Sequence, residues 1–329
     1  MASRQEQHPH GFERGVDMQL NINSVCSAIP NTVLDVAEGY ERLGISSGEA
    51  RVFSRLYELP RCPVSEEPES ELVLSAVRGL IETSGCDPDR IACLIHAHTG
   101  AVIGPFSRSL PLYLARRLRL DRAMAFGTCS NNCIAVYSAL ETSARILRSA
   151  PAGSKAVVVV GEVADNLELR VVRNVAIVGD AAAAVLLGAD GGPNKMLSLV
   201  VHTHPGYAAG IWMPADCEAS REFEALFSRR LHAVIEAALG KAGVALADVA
   251  WIIPHNVNVW MWRKAAQFMG FPIERIYLEN TQRTAHCLGA DLFLNLDALS
   301  GSGRLQPGDV YLMASAGIGG VMGAVVFRH

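Results

Sequence analysis

The 329-residue chain lacks a strong excess of either charge: 29 Lys and Arg stand against 33 Asp and Glu, a formal net charge of −4. Such a balance gives no global attraction for nucleic acid or for an anionic membrane. Paired cysteines are also missing. The eight Cys are scattered with no Cys-x-x-Cys spacing, which argues against a disulfide framework or a zinc ribbon and for reduced thiols in the cytoplasm. No apolar run approaches the roughly 20 residues of a membrane-spanning helix. The longest, Ala156–Val160 and Ala181–Leu187, have the length of single strands. Residues 1–18 are polar and lack the apolar segment of a secretory signal. The glycine stretches at 100–104 and 188–192 do not have GxGxxG or Walker spacing, so no nucleotide fingerprint is present. Two His-x-His pairs, His96/His98 and His202/His204, have no carboxylate–cysteine pattern beside them, and no metal site is expected.

What is present is apolar residues at 50% and 29 glycines, a composition suited to helices packed tightly on sheets. The length suits two domains or one large one. Met1 to about residue 17 reads as a flexible polar tail. Met18–Ile29 alternates like a strand, and Asn31–Leu56 reads as helical with exposed charges. Ser70–Thr83 is an amphipathic helix stopped by Gly85. Ile91–His96 is a strand, Ser107–Leu118 a helix, and Lys155–Gly161 a strand apolar on both faces. Two weak echoes recur in the same order. Ala76–Ile95 resembles Ala233–Ile253, and Gly153–Val160 resembles Pro307–Met313. The chain therefore reads as two similar α/β halves, 18–190 and 195–329, with Ala189–Lys195 as the linker between them.

The stretch Ala123–Leu147 carries the first sign of chemistry. It reads as a short strand, a polar turn and a helix with Cys133 at its start. Unpaired N–H groups and the positive dipole end favour an anion there, the charge of a thiolate nucleophile. The plain alternative is a small buried hydrophobe. Cys129 is a rival nucleophile, placed in the turn before the helix. A nucleophilic Cys needs a base, and the second half offers two histidines at the edges of apolar elements: His255 after Trp251–Pro254, and His286 before a helix starting near Gly289. Each alone can equally be a satisfied core imidazole.

Together these segments resemble the thiolase-fold condensing enzymes, most of all β-ketoacyl-ACP synthase III, over nearly the whole chain. The resemblance rests on Ala125–Leu140 as the nucleophile segment and on Pro254-His255-Asn256-Val257-Asn258 as the Pro-His-x-x-Asn motif. It rests further on Val178–Ala184 as the Gly-Asp-Gly-Ala-like segment and Ala316–Ala324 as the glycine-rich turn. It implies a layered α-β-α-β-α fold and a catalytic set of Cys133, His255 and His286, with an oxyanion site from the backbone of Cys133, Gly317, Gly319 and Gly320. Asn258, Asn280 and Asp291 are supporting or reserve residues. Asn280 stands for the family's usual Asn, while Ala285–Ala290 resembles the His motif of the Cys-His-His enzymes. Pro105-Phe106-Ser107 resembles a loop that crosses the family's dimer interface. The resemblance also implies acyl carrier protein or CoA thioesters as substrates, no cofactor, and a homodimer.

Two departures matter. The family's Trp and Arg-Thr-Gly-Ile region, which helps hold CoA, is replaced by Arg51–Arg61. Asp291 stands where the family often has a small residue, placed to polarise a His or to cap a helix. The two histidines tilt the expectation toward decarboxylative condensation with a malonyl-type thioester. Acyl transfer to an alcohol or amine, in natural-product biosynthesis, is the alternative, and a catalytically silent partner subunit is a third. Arg108, Arg116, Arg117, Arg119, Arg122, Arg263 and Lys264 are read as a solvated face or as contacts for an acidic carrier.

Overall fold

The computed structural model describes residues 19–100, 109–129, 131–210, 213–214, 217–317 and 319–329. The expected N-terminal tail and Phe106 lie outside the described residues.

Among the described residues the strands are β1 (Asn21–Ala28), β2 (Val33–Asp35), β3 (Arg61–Pro63), β4 (Ile91–Ala97), β5 (Met124–Thr128), β6 (Lys155–Glu162), β7 (Val171–Val172), β8 (Ala176–Ile177), β9 (Ala181–Gly188), β10 (Lys195–Thr203), β11 (Val249–Pro254), β12 (Val310–Gly317) and β13 (Val321–Arg328). The α-helices are α1 (Ser47–Arg51), α2 (Glu69–Ser84), α3 (Leu110–Arg117), α4 (Ala135–Ser149), α5 (Leu167–Arg170), α6 (Glu218–Ala242), α7 (Val259–Met269), α8 (Thr281–Thr284) and α9 (Asp291–Gly301).

Nine strands run in the order β11-β12-β13-β10-β1-β9-β6-β4-β5. β1 and β10 meet only at Asn21 and Lys195, so the arrangement is two sheets touching at one corner. The first is β5-β4-β6-β9-β1; β4 runs parallel to β5 and β6, and β9 is antiparallel to β6 and β1. The second repeats this pattern. β11 is parallel to β12 and to a bridge at Ile276, and β13 is antiparallel to β12 and β10.

Helices α4 and α9 fill the space between the sheets. Tyr137, Leu140, Phe293 and Leu296 meet Val158, Val185, Tyr311 and Phe327 there. Outside the first sheet α2 contributes Val73, Val77 and Leu80; outside the second α6 and α7 contribute Leu231, Ile235 and Trp262. These are five layers, helix-sheet-helix-sheet-helix. Burial on both faces explains why β6 and β9 are apolar without alternation. Each large side chain buried in these layers contributes roughly 2 kcal/mol.

The expected helix at Asn31–Leu56 is corrected. That segment is strand β2, a turn, the short α1 and a π-helical turn at Val52–Leu56. Gly44 takes φ +62, which stops a continuous helix, and the Ser46–Glu49 capping box starts a new one. The helix expected from Ser107 begins, within the described residues, at Leu110, with Pro111 in its first turn.

Candidate active site

The two central helices begin side by side. A 3-10 turn, Asn132–Ile134, feeds α4, and another, Leu288–Ala290, feeds α9. Asn132, just before the thiol, has φ +49, a left-handed conformation that Asn tolerates better than most residues. It turns the chain sharply, and Cys133 falls in a buried position at the mouth of α4. Leu288, with φ +53, makes the matching bend ahead of α9. Ala285, with φ +52 and ψ −145, occupies a region that glycine normally takes. Such strain costs about 1–3 kcal/mol and sits immediately before His286.

The bends bring three side chains into line. Cys133 Sγ lies 3.7 Å from His286 Nε2. His286 Nδ1 lies 2.6 Å from Asp291 Oδ2. Asp291 is fully buried and also accepts backbone N–H bonds from Cys287 at 2.8 Å and Asn256 at 2.6 Å. With Nδ1 donating to the carboxylate, Nε2 is the ring atom that exchanges a proton with sulfur. Burial opposes charge on His286, but the carboxylate outweighs it and raises the imidazole from its ordinary 6.5 to about 10. His286 is therefore an imidazolium paired to Asp291 at neutral pH.

His255 is different in kind. Its ring is 5.9 Å from that of His286 and 5.7 Å from that of Trp262, both edge-on. The Trp262 indole N–H donates to the His255 carbonyl at 2.9 Å. Burial, reinforced by the His286 charge, pushes His255 down to about 3, so it is neutral. Its Nδ1 is buried without a partner. The site thus pairs one cationic and one neutral imidazole.

The remaining sequence expectations are placed as follows. Gly317 runs alongside the nucleophile turn; a Cβ there would lie 3.1 Å from Asn131 O and 3.7 Å from Cys133 N. Gly319 faces the Asn132 side chain, whereas Gly320 packs on His204 and Tyr207. Asn258 caps α7, accepting from Met261 N at 2.8 Å, and its amide donates to Val175 O. Asn280 donates to Leu294 O at 3.1 Å. Both are engaged in holding backbone. The sulfur that faces His286 is that of Cys133, while Cys129 is exposed.

The Val178–Ala184 segment was singled out by resemblance, but the contacts it makes were not legible in the sequence. Asp180 is buried with Arg170 at 2.8 Å and accepts N–H bonds from Ser65 and Ala164. The adjacent Gly179 N–H donates to His286 O, and His286 N–H donates to Ile177 O, both at 3.0 Å. This network clamps the His286 backbone. Gly179 must be glycine, because a Cβ would meet Thr284 O at 2.1 Å. His98 also has carboxylates beside it after all, Glu69 at 3.4 Å and Glu162 at 3.6 Å. They come from distant segments, which local spacing cannot show. Among the described residues no group of three or more His, Cys, Asp or Glu is arranged to hold a metal ion. An apolar wall of Ala164, Val178 and Leu288 surrounds Cys133.

Comparison with known proteins fits this geometry. Residues 129–205 match the family model described as 3-oxoacyl-[acyl-carrier-protein] synthase III, and residues 239–329 match that family's C-terminal model. Together the matches span just over half of the chain. The chain belongs to the 3-oxoacyl-ACP synthase III family of condensing enzymes. Among relatives of this synthase III-like chain, β-ketoacyl-ACP synthase III of Coxiella burnetii (strain Dugway 5J108-111) is 25% identical over 324 residues, covering 93% of this chain and 98% of the relative. The same-named protein of Rhizorhabdus wittichii is 25% identical, covering 80% and 85%.

Similar solved structures include the acyltransferase ChlB3, with a TM-score of 0.82 at 23% identity, covering 94% of this chain and 97% of that one. The synthase III of Aquifex aeolicus VF5 has a TM-score of 0.76 at 20% identity, covering 94% and 100%. These likenesses establish the thiolase-like fold. As a member of this family the synthase III-like chain is an acyl-transferring enzyme.

Proposed function

We propose that the enzyme moves an acyl group from a carrier-protein or CoA thioester, through a thioester on Cys133, to a nucleophilic acceptor without decarboxylation. The carrying observation is His286 held between Cys133 Sγ and a buried Asp291 carboxylate. The imidazolium donates to sulfur, and the ion-paired thiolate attacks the donor carbonyl. The new bond is between Cys133 Sγ and the acyl carbon. The bond from that carbon to the donor sulfur breaks, and the departing thiolate takes the Nε2 proton. Neutral His286 then accepts the proton of the acceptor hydroxyl or amine as that atom attacks. Cys133 leaves as thiolate, and the starting ion pair is restored. Backbone N–H groups at Cys133 and Gly317 hold the oxyanion, and neutral His255 supplies a further fixed dipole.

Condensation remains the second reading, supported by the two imidazoles side by side. The decarboxylating step, however, takes no proton from its acceptor. It needs fixed donors at an enolate, which a buried carboxylate behind one imidazole does not improve. A carboxylate there serves a group that gains and loses a proton in each half-reaction. The name of the structurally similar ChlB3, an acyltransferase, supports the same choice.

The chemistry draws on the activated carbonyl of its thioester substrates and uses no cofactor. A homodimer is part of the reading. β5 ends its sheet, Met124 on it is 58% exposed, and Leu112 on α3, the helix packed against β5, is 60% exposed; an apolar sheet edge of this kind favours pairing with a second copy. The test incubates the enzyme with an acetyl thioester, then with a malonyl thioester or a hydroxyl or amine acceptor. An intact-protein mass shift on Cys133 and acyl transfer without CO2 are expected. Stoichiometric CO2 release would sink the transfer reading.

A further inference from the structure

Asn295 is a polar residue in an otherwise apolar stretch of α9, and it is fully buried beside Phe293, Leu294 and Leu296. A buried amide is costly unless it is hydrogen-bonded, and a leucine would serve packing equally well. Its partners are specific. Nδ2 donates to Pro254 O and to Asn256 Oδ1, each at 2.8 Å, and Oδ1 accepts from Asn256 Nδ2 at 3.4 Å. Thr281 Oγ1 adds a second donor to Asn256 Oδ1 at 3.3 Å. The backbone N–H of Asn256 then reaches Asp291 Oδ2 at 2.6 Å, the same oxygen that holds His286. Asn295 and Asp291 lie one turn apart on one helix face. The chain of bonds leaves α9 at Asn295, crosses the turn that carries His255, and returns to α9 at Asp291.

We propose that Asn295 is a positioning residue that pins the Pro254–Asn256 turn against Asp291, keeping His255 and the His286–Asp291 pair aligned on Cys133. The inference rests on the Cys133–His286–Asp291 reading. Asn295→Asp keeps the shape but loses the amide donors to Pro254 O and Asn256 Oδ1. The turn then relaxes, the Asn256 N–H leaves the carboxylate, and Asp291 holds the His286 proton more tightly.

The test measures single-turnover acylation of Cys133 by an acetyl thioester against pH, and KM for that thioester. N295D should acylate roughly tenfold to hundredfold more slowly, move the basic limb of the acylation profile upward, and change KM by less than about threefold. Asn295→Ser, which can donate one hydrogen bond, should fall between N295D and the natural enzyme. It carries the test alone if N295D does not fold. Natural enzyme with no basic limb overturns the Cys-His-Asp reading and this inference with it. A limb present in the natural enzyme and unmoved in the Asn295 variants overturns this inference alone.

Discussion

Asp291→Asn is the sharpest perturbation of the site, because it changes charge and donor pattern while leaving shape nearly constant. The native carboxylate accepts three hydrogen bonds: from His286 Nδ1, from Cys287 N–H and from Asn256 N–H. An amide offers one oxygen and one NH2 group. If the oxygen faces His286 and Asn256, the NH2 is forced against the Cys287 N–H, donor to donor. If the NH2 faces His286, it fixes the proton on Nε2 and presents the wrong tautomer to sulfur. Either way a buried imidazolium loses its counter-charge and becomes neutral. Losing one charged hydrogen bond costs about 1.5–3 kcal/mol, a factor of roughly 10 to 100 in rate. The wrong-tautomer outcome extends that toward about 10⁴. Single-turnover acylation of Cys133, followed by intact-protein mass at pH 7, should therefore slow by about 10- to 10⁴-fold. The alkaline loss of activity, expected near pH 10 where His286 gives up its proton, should vanish, because burial now keeps His286 neutral throughout. Acylation within threefold of the natural rate would refute the argument and reduce Asp291 to a helix cap.

Cys133→Ala should abolish the acyl adduct, whereas Cys129→Ala should keep the acylation rate within about threefold, since the Cys133 sulfur lies 3.7 Å from His286 Nε2 and Cys129 is exposed; an adduct surviving in Cys133→Ala would show another nucleophile. Thermal stability should be highest near pH 6.5. Burial holds His255 near 3 and His96 near 4, so the unfolded chain takes up protons there first and stability falls as pH drops below 6.5. His286 near 10 and His98 near 9 are raised by Asp291 and by Glu69 and Glu162 against the opposing effect of burial. Their contribution is complete below 6.5 and is lost as pH rises through 9 to 10. A melting curve that climbs steadily from pH 6.5 to 10 would contradict these assignments.

Much of the layered fold was legible because burial leaves a mark on composition. β6 and β9 lie between two helix layers and are apolar throughout, and α2 ends where Gly85 takes φ +62. Asn31–Leu56 misled because its apolar residues face a satellite cluster formed with Val171, Ile177 and Val257, so their spacing answers to distant partners. In the site, Cys133 and both histidines stand in local motifs. Asp291 was ambiguous for a definite reason. Its carboxylate reaches back to His286 only because Leu288 takes a left-handed conformation that folds the intervening turn, and side-chain spacing does not encode that bend. Asn295 left a fainter signal, one amide in an apolar helix, and its partners come from Pro254 and Asn256, forty residues away in the chain. The Arg170–Asp180 pair and the carboxylates around His98 are likewise products of tertiary contact.

The repeated connectivity of the two sheets makes the asymmetry of the site intelligible. The turns that feed α4 and α9 are matched, yet the first carries Cys133 in its middle and the second carries Gly289 in its middle. The two turns pack against each other, and a side chain on the second would crowd the backbone of the first. A Cβ on Gly289 would lie 3.0 Å from Val160 Cγ2 and 3.2 Å from Cys133 O. At the next step the roles reverse: α4 opens with apolar Ala135, while α9 opens with Asp291. That carboxylate gains from the positive end of its own helix while it holds the His286 cation. One half supplies the nucleophile and the other supplies the base and its counter-ion. Gly289→Ala tests this division. The added methyl must displace either the β6 side chain or the Cys133 carbonyl, costing about 1–3 kcal/mol. If the carbonyl moves, Cys133 shifts against His286, and acylation should slow by more than tenfold in protein that still melts cooperatively. An alanine accepted there with unchanged stability and unchanged acylation would show that the two turns do not exclude one another.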